Sequence, residues 1–343
     1  MSLTVDEVAC WAGEPLILFL GVSTSGSVAH AVFDRWAAEL GRPWALRGVD
    51  LPASAPPGAF RRLVSAMRGN PAVDGAVVTA HKLRLYRACA QDLARRDWLT
   101  EITHEINALA TTGVLAGYAR DALSLARVLP GLIRSTGGDG LDDLHVLCLG
   151  AGGAATALLL ALHLDTDPER DGGAGGRDRA DPPASVTFTD VDPRALADLR
   201  SVAGRAGIGT SRLSFVRVRD PADSDALVSG LPSPGFVINA TGLGKDAAGS
   251  PVTGRARFGP GTLAWDLNYR GDLAFLRQAA ASGASTLDGW DYFVAGWAGG
   301  LTAIAQTPFT GDLLTRFAHA AAPLRPAPRH PPPPRPPNRI DAT

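Results

Sequence analysis

Apolar and polar positions along this chain follow two periods in turn. Leu16 to Leu20 is a continuous apolar run between Pro15 and a Ser/Gly turn, and from Val28 to Leu40 the apolar residues fall at helical spacing. The pair predicts a strand followed by a helix. The order continues with a helical segment from Gly58 to Met67, a strand from Gly75 to Thr79 and a helix from about Leu83 to Arg96. Leu144 to Leu149, Val186 to Asp190 and Gly235 to Asn239 read as further buried strands. Such alternation predicts an α/β class with a mostly parallel sheet. The Gly-rich run Thr136 to Gly140 marks a boundary between two units of this kind.

Length agrees with two units, because 343 residues exceed the usual size of one hydrophobic core and an apolar share of 45% suffices to build two. Between Asp165 and Pro183 the composition turns to Asp, Arg, Gly and Pro, which predicts a flexible surface insertion. From Ala322 the Pro-rich tail predicts an extended, solvated end. A net charge of -1 leaves no field for a nucleic acid or an anionic membrane, so a small molecule is the expected ligand. Cys10, Cys89 and Cys148 are odd in number and lack metal-type spacing, which argues against disulfides and against a metal site and fits a reducing cytoplasm. The run Pro15 to Val22 is too short to span a bilayer, and acidic Asp6 and Glu7 before it do not suit a signal peptide.

The stretch from His145 to Ala155 is an apolar strand running into Gly-x-Gly-x-x-Ala at the start of an apolar helix. Gly150 permits the tight turn, Gly152 and Gly153 let a diphosphate approach the backbone, and Ala155 allows close packing of helix on strand. The helix start supplies amide donors and positive dipole. The next strand ends at Asp190, which would accept from both ribose hydroxyls and repel a 2′-phosphate, so the pattern favours NAD over NADP. Asp192 suits the cap of the helix beginning near Pro193. At the end of a later strand, Asn239, Thr241 and Gly242 form a polar turn expected beside the nicotinamide half.

Several short motifs together resemble the shikimate/quinate dehydrogenase family. Gly75-Ala-Val-Val-Thr79-Ala-His81-Lys82 is similar to the segment in which a strand delivers the family's lysine. His104-Glu-Ile-Asn107-Ala-Leu resembles Gly-Ala-Val-Asn-Thr-Leu, and Gly117-Tyr-Ala-Arg-Asp121 stands where Gly-x-Asn-Thr-Asp is expected. Asn239-Ala-Thr241, Asp266-Leu-Asn-Tyr269 and Asp288-Gly289 follow in the family's order. The resemblance implies a substrate-binding catalytic domain from residues 1–122 and 286–321, a Rossmann NAD-binding domain at 123–285 with the insertion at 164–183, and a tail at 322–343. It implies reversible oxidation of a secondary alcohol to a ketone on a polar ring acid or cyclitol. Lys82 and Asp121 would be catalytic; Ser25, Ser27, Thr79, Asn107 and Tyr269 would hold substrate; Gly289 would border the cofactor. A homodimer is the assembly it suggests.

Alcohol oxidation needs a group to take the hydroxyl proton, and a lysine does so when burial or nearby positive charge favours its neutral form. Departures from the family pattern concern the substrate side. Val28 stands where proline is usual, His81 replaces Pro-Phe and offers a second proton carrier or a structural histidine, Ala119 and Arg120 replace Asn-Thr, and Gly296 replaces a glutamine. Trp290, Tyr292 and Trp297 either wall a wider cavity or pack against the domain. Two other readings stay open at this level: a non-catalytic NAD-binding regulatory protein, and a methylene-tetrahydrofolate type dehydrogenase whose lysine also follows a strand.

Overall fold

The computed structural model describes residues 2–135, 140–165, 177–245 and 247–326. Most of the Gly-rich boundary run (136–139), the middle of the insertion (166–176) and the tail from 327 onward lie outside the described residues.

The first unit is built from α1 (Val5–Ala9), β1 (Leu16–Gly21), α2 (Ala29–Glu39), β2 (Ala45–Asp50), α3 (Pro57–Gly69), β3 (Val73–Val78), α4 (Lys82–Cys89), β4 (Arg95–Arg96), α5 (Trp98–Thr103), β5 (Ala108–Ala110) and β6 (Ala116–Tyr118). Its six strands lie in the order β2-β1-β3-β5-β6-β4. β1 is buried at all six positions, as a central strand covered on both faces must be, and this is why it reads as an unbroken apolar run. Parallel pairing joins β1 to β2 and β3, whereas β5 runs antiparallel to both β3 and β6. With β4 parallel to β6, three of the five pairings of this sheet are parallel, and β5 is the strand that departs from the expected direction.

Two local expectations also change. β2 was not anticipated, because Arg47 and Asp50 interrupt its apolar pattern; the arginine lies over the Trp11 ring, 5.2 Å from its centroid. The helix expected from Leu83 to Arg96 ends at Cys89, after which Ala90–Asp92 form a tight turn and Arg95–Arg96 pair with β6. Strand pairing and burial of Leu93 outweigh the helical preference of the run.

Helix α6 (Asp121–Ser135) leads to the second unit: β7 (His145–Leu149), α7 (Gly153–His163), β8 (Leu164–Asp165), β9 (Arg177–Asp178), β10 (Ser185–Asp190), α8 (Pro193–Arg205), β11 (Leu213–Arg217), α9 (Pro221–Ser229), β12 (Gly235–Asn239), β13 (Leu263–Asp266), α10 (Ala274–Ala281) and β14 (Ser285–Leu287). Its main sheet has the order β11-β10-β7-β12-β13-β14, parallel throughout. Strand order reverses between β7 and β12, and at such a reversal the crossover helices diverge and open a crevice at the carboxyl ends of the strands. The ends of the stretch expected to lack order are paired: β8 and β9 form an antiparallel ribbon, and Arg179 N–H donates to His163 O at 2.8 Å. Buried Leu164 anchors that ribbon.

Helices α11 (Trp290–Ala305) and α12 (Gly311–Ala321) return to the first sheet. Trp36 of α2 stacks on Phe317 of α12 and on Trp297 of α11, and its indole N–H donates to Phe317 O at 3.0 Å. The start of the tail is likewise held, with Ala322–Leu324 in a tight turn and Arg325 donating to Asp288 Oδ1 at 2.8 Å. No helix among the described residues is long and apolar enough to cross a membrane.

Candidate active site

Lys82 is the first residue of α4, directly beyond the carboxyl end of β3, and Asp121 is the first of α6. Thirty-nine residues apart in sequence, they are joined by a hydrogen bond from Lys82 Nζ to Asp121 Oδ2. The other carboxylate oxygen accepts from Asn107 Nδ2 at 2.7 Å, while Asn107 Oδ1 accepts from Arg120 N at 2.8 Å. This chain of bonds leaves each side chain one orientation, because both ends of the amide and both oxygens of Asp121 have a partner. The pair is largely but not fully covered, with side-chain exposures of 20% and 13%.

Burial disfavours the Lys82 ammonium, but the charges of Asp121 and Glu105 and the hydrogen bond to Asp121 outweigh it and raise the lysine above its ordinary value of 10.5. The ammonium is the resting form. The neighbouring charge is negative, so the neutral form that alcohol oxidation needs is not the resting one. Tyr292 of α11 faces the same charges; burial first, then Asp121 and Glu105, holds its phenol well above the usual range and therefore neutral.

Across the cleft, Gly150 follows β7 with φ +105°, a conformation that disfavours any other residue, and a Cβ there would sit 3.0 Å from the Ala240 carbonyl carbon. Gly152 caps α7 without a side-chain hydrogen bond and has nothing within 4 Å on the side where a Cβ would stand. Open space beside uncapped amides at a helix start is a fitting cradle for a diphosphate. Asp190 lies next to it, its Oδ2 accepting from Ala151 N at 2.8 Å and its Oδ1 from Asp192 N at 2.9 Å. Both oxygens keep lone pairs for ribose hydroxyls. A small cavity lies between Asn107 and Asp121 on one side and Thr156 of α7 on the other, lined also by Thr103 and Glu105.

No protein-family model matches the chain. Over 181 residues it is 29% identical to the shikimate dehydrogenase (NADP(+)) of Streptococcus gordonii, a match covering 51% of this chain and 53% of that protein, so the chain spans about half the length of the curated relative it matches. The crystal structure of shikimate 5-dehydrogenase from Listeria monocytogenes in complex with shikimate and NAD superposes with a TM-score of 0.63 at 16% identity, covering 88% of this chain and 95% of that one. Quinate dehydrogenase from Corynebacterium glutamicum in complex with NAD gives 0.64 at 17% identity, with coverages of 89% and 99%. This chain has the shikimate dehydrogenase fold.

Within that fold the remaining residues, expected and unexpected, fall into three overlapping groups. Thr79 and the serine loop occupy the carboxyl edge of the first sheet with Lys82: Thr79 Oγ1 donates to Leu20 O at 3.4 Å, and Ser27 Oγ accepts from Ala29 N at 3.2 Å while Ser25 is exposed. Arg270, which sequence reasoning passed over, brings a guanidinium nitrogen to 4.0 Å from where a Cβ on Gly26 would stand. Tyr269 packs on Phe293 at 4.4 Å between ring centroids and edge-on to Trp290.

A second group turns out to be engaged elsewhere. Asn239 is fully buried and holds its own turn, donating to Asp266 Oδ2 at 2.9 Å and accepting from Thr241 N and Thr241 Oγ1 at 3.0 and 2.6 Å. Its side chain shapes the loop at the β12 end; Thr241 and open Gly242 remain at the loop surface. Gly289 is pressed against the backbone of Leu267, whose carbonyl oxygen a Cβ would meet at 2.1 Å, so the position requires glycine. Ala155, in the first turn of α7, is fully buried, in keeping with its expected part in close helix packing. Arg120, one of the substrate-side departures, pairs with Asp97 at 3.4 Å and lies over Tyr118. His81 is buried, bonded to Leu51 O at 2.9 Å and edge-on to Phe60, the structural alternative. Trp290 and Trp297 are core residues.

The third group was missed: Glu105, Arg217 and Arg270. Glu105 and the family's alanine occupy equivalent places in the Asn107 motif, which was a readable signal. Arg217 is the register partner of Asp190 on β11, a neighbour no local pattern reveals. Among the described residues no group of three or more His, Cys, Asp or Glu could hold a metal ion.

Proposed function

We propose that the protein is an NAD(P)-dependent dehydrogenase of the shikimate dehydrogenase kind, interconverting a secondary alcohol and a ketone on a polar ring substrate such as a shikimate- or quinate-like acid or a cyclitol. The observation that carries the reading is the bonded set Lys82–Asp121–Asn107, of which Asn107 and Asp121 share a cavity with α7, the helix that follows the glycine turn of a parallel nucleotide-type sheet. A nicotinamide dinucleotide bound along Gly150, Gly152 and Gly153 would supply or accept the hydride. Lys82, as ammonium, gives its proton to the carbonyl oxygen during reduction and takes it back from the hydroxyl during oxidation; Asp121 and Asn107 hold the amine in line. Ser25 and Ser27, with the Arg270 guanidinium beside their loop, supply donors and charge suited to a substrate carboxylate. A regulatory dinucleotide-binding role has less support, because it gives the bonded set no task.

The raised Lys82 fixes the sign of the pH dependence. Because the proton donor is the resting form at neutral pH, the reduction rate should stay level from pH 6 to 9. Oxidation, which needs the free amine, should rise with pH through this range by about tenfold per unit while proton abstraction limits the rate. Initial rates in both directions on a panel of cyclitols and quinate-type acids check this; a reduction rate that climbs with pH contradicts the assignment, and failure of every ring alcohol to reduce the cofactor favours the regulatory reading.

Asp190 supports NAD as the preferred dinucleotide, its carboxylate opposing a 2′-phosphate, although Arg217 stands in register with it. Asp190→Asn keeps an acceptor for Ala151 N and removes the charge. Its NADP-to-NAD ratio of kcat/KM should increase by about tenfold or more, since like-charge juxtaposition costs several kcal/mol. An unchanged ratio would mean that the preference lies elsewhere.

A further inference from the structure

Glu105 has no counterpart among the residues that the proposed chemistry uses. It sits in the loop between α5 and β5, directly after His104, whose left-handed conformation (φ 57°) closes α5 and turns the chain toward the cleft. The loop bridges the two units, for Arg205 of α8 donates to Ile102 O at 2.7 Å just before it. From there the carboxylate reaches the first turn of α7: a Cβ at Gly153 would lie 2.9 and 3.2 Å from its two oxygens. It shares the cavity of Asn107, Asp121 and Thr156. Among the described residues its carboxylate makes no hydrogen bond or ion pair; only its backbone N–H is engaged, by Thr103 Oγ1.

An acid in this position conflicts with the proposed ligand. The start of α7 is the cradle for a diphosphate, and an ionised carboxylate against its first turn would repel that group. A neutral carboxylic acid would instead donate a hydrogen bond to a phosphate or ribose oxygen. Protonation is accessible near neutrality, because burial raises Glu105 to about 7 against the lowering influence of Lys82. The charged and titratable groups that face it are Lys82 on α4, Asp121 on α6 and the neutral phenol of Tyr292 on α11. On its own loop, His104 stacks on Tyr86, with Arg205 nearby.

We propose that Glu105 is a cofactor-contacting residue that binds the dinucleotide as the neutral acid, so that binding takes up one proton from solvent at Glu105 and weakens as pH rises above 7. The inference rests on the dinucleotide site proposed above. An anionic side chain gained here couples cofactor occupancy to pH.

The test is calorimetry of NAD binding to the full chain at pH 6, 7 and 8.5, each in two buffers of different ionisation enthalpy. For the wild type, Kd should rise about tenfold or more between pH 6 and 8.5, with net uptake approaching one proton at the upper end. Glu105→Gln, which keeps the shape and a donor, should bind with the same affinity at all three pH values and take up no proton. Binding without buffer-dependent heat in the wild type, or an equal pH dependence in the glutamine variant, overturns the role of Glu105 while leaving the dinucleotide site intact. If neither protein binds NAD or NADP at any pH, the dinucleotide site itself is wrong and this inference falls with it.

Discussion

Lys82→Met should lower kcat in both directions by about 10²–10⁴-fold while changing the dinucleotide Kd by no more than about twofold at pH 6, where Glu105 already carries its proton in both proteins. The methionine fills a similar volume and cannot carry a proton. Asp121 would lose the ammonium but keep the Asn107 amide at 2.7 Å, so the loop that presents it stays in place. The loss should not be recovered at high pH, where the wild-type oxidation is fastest. Single-turnover rates and dinucleotide titrations on the same preparation separate the two effects; a variant with turnover within tenfold of wild type would remove Lys82 from the chemistry and leave only a nucleotide-binding shell.

Trp36→Ala should destabilise the first unit by about 3–5 kcal/mol, the cost of emptying a large buried aromatic site. Trp36 is wholly buried between helices remote in sequence, stacked on Phe317 and Trp297 and donating its indole N–H to Phe317 O. Removing it leaves a cavity and an unmatched acceptor at the seam where α11 and α12 rejoin α2. Urea unfolding followed by far-UV circular dichroism reads the effect; a loss under about 1 kcal/mol would show that the C-terminal helices contribute little to that core. Since α11 also carries Tyr292 to the lysine pair, a loosened seam should depress turnover as well.

Much of the second unit was legible in the chain because its determinants are local. A strand buried on both faces has to be apolar along its covered length, as Val146–Leu149 of β7 and Phe236–Ile238 of β12 are, and a turn that places a residue at positive φ beside another backbone has to be glycine, as Gly150 is. The first unit was less legible. β2 and β4 carry charged residues, and they are strands only because a neighbouring strand pairs with them. Motif order placed Lys82, Asn107 and Asp121 on the list of candidates, yet nothing along the chain indicated that all three would be bonded to one another.

The same division holds for the chemistry. Residue type and spacing alone determined an α/β chain with a glycine turn at a helix start, an acid closing the next strand, and a lysine, an amide and a carboxylate at the ends of elements. Tertiary structure decided the protonation of Lys82, the withdrawal of Asn239, His81 and Arg120 into structural contacts, and the arrival of Glu105 at α7. The physical reason is range. Backbone conformation and burial periodicity are set by neighbours within a few residues, whereas a charge feels, and a polar group bonds to, whatever the fold carries within a few ångströms, and those partners here come from segments tens to hundreds of residues away.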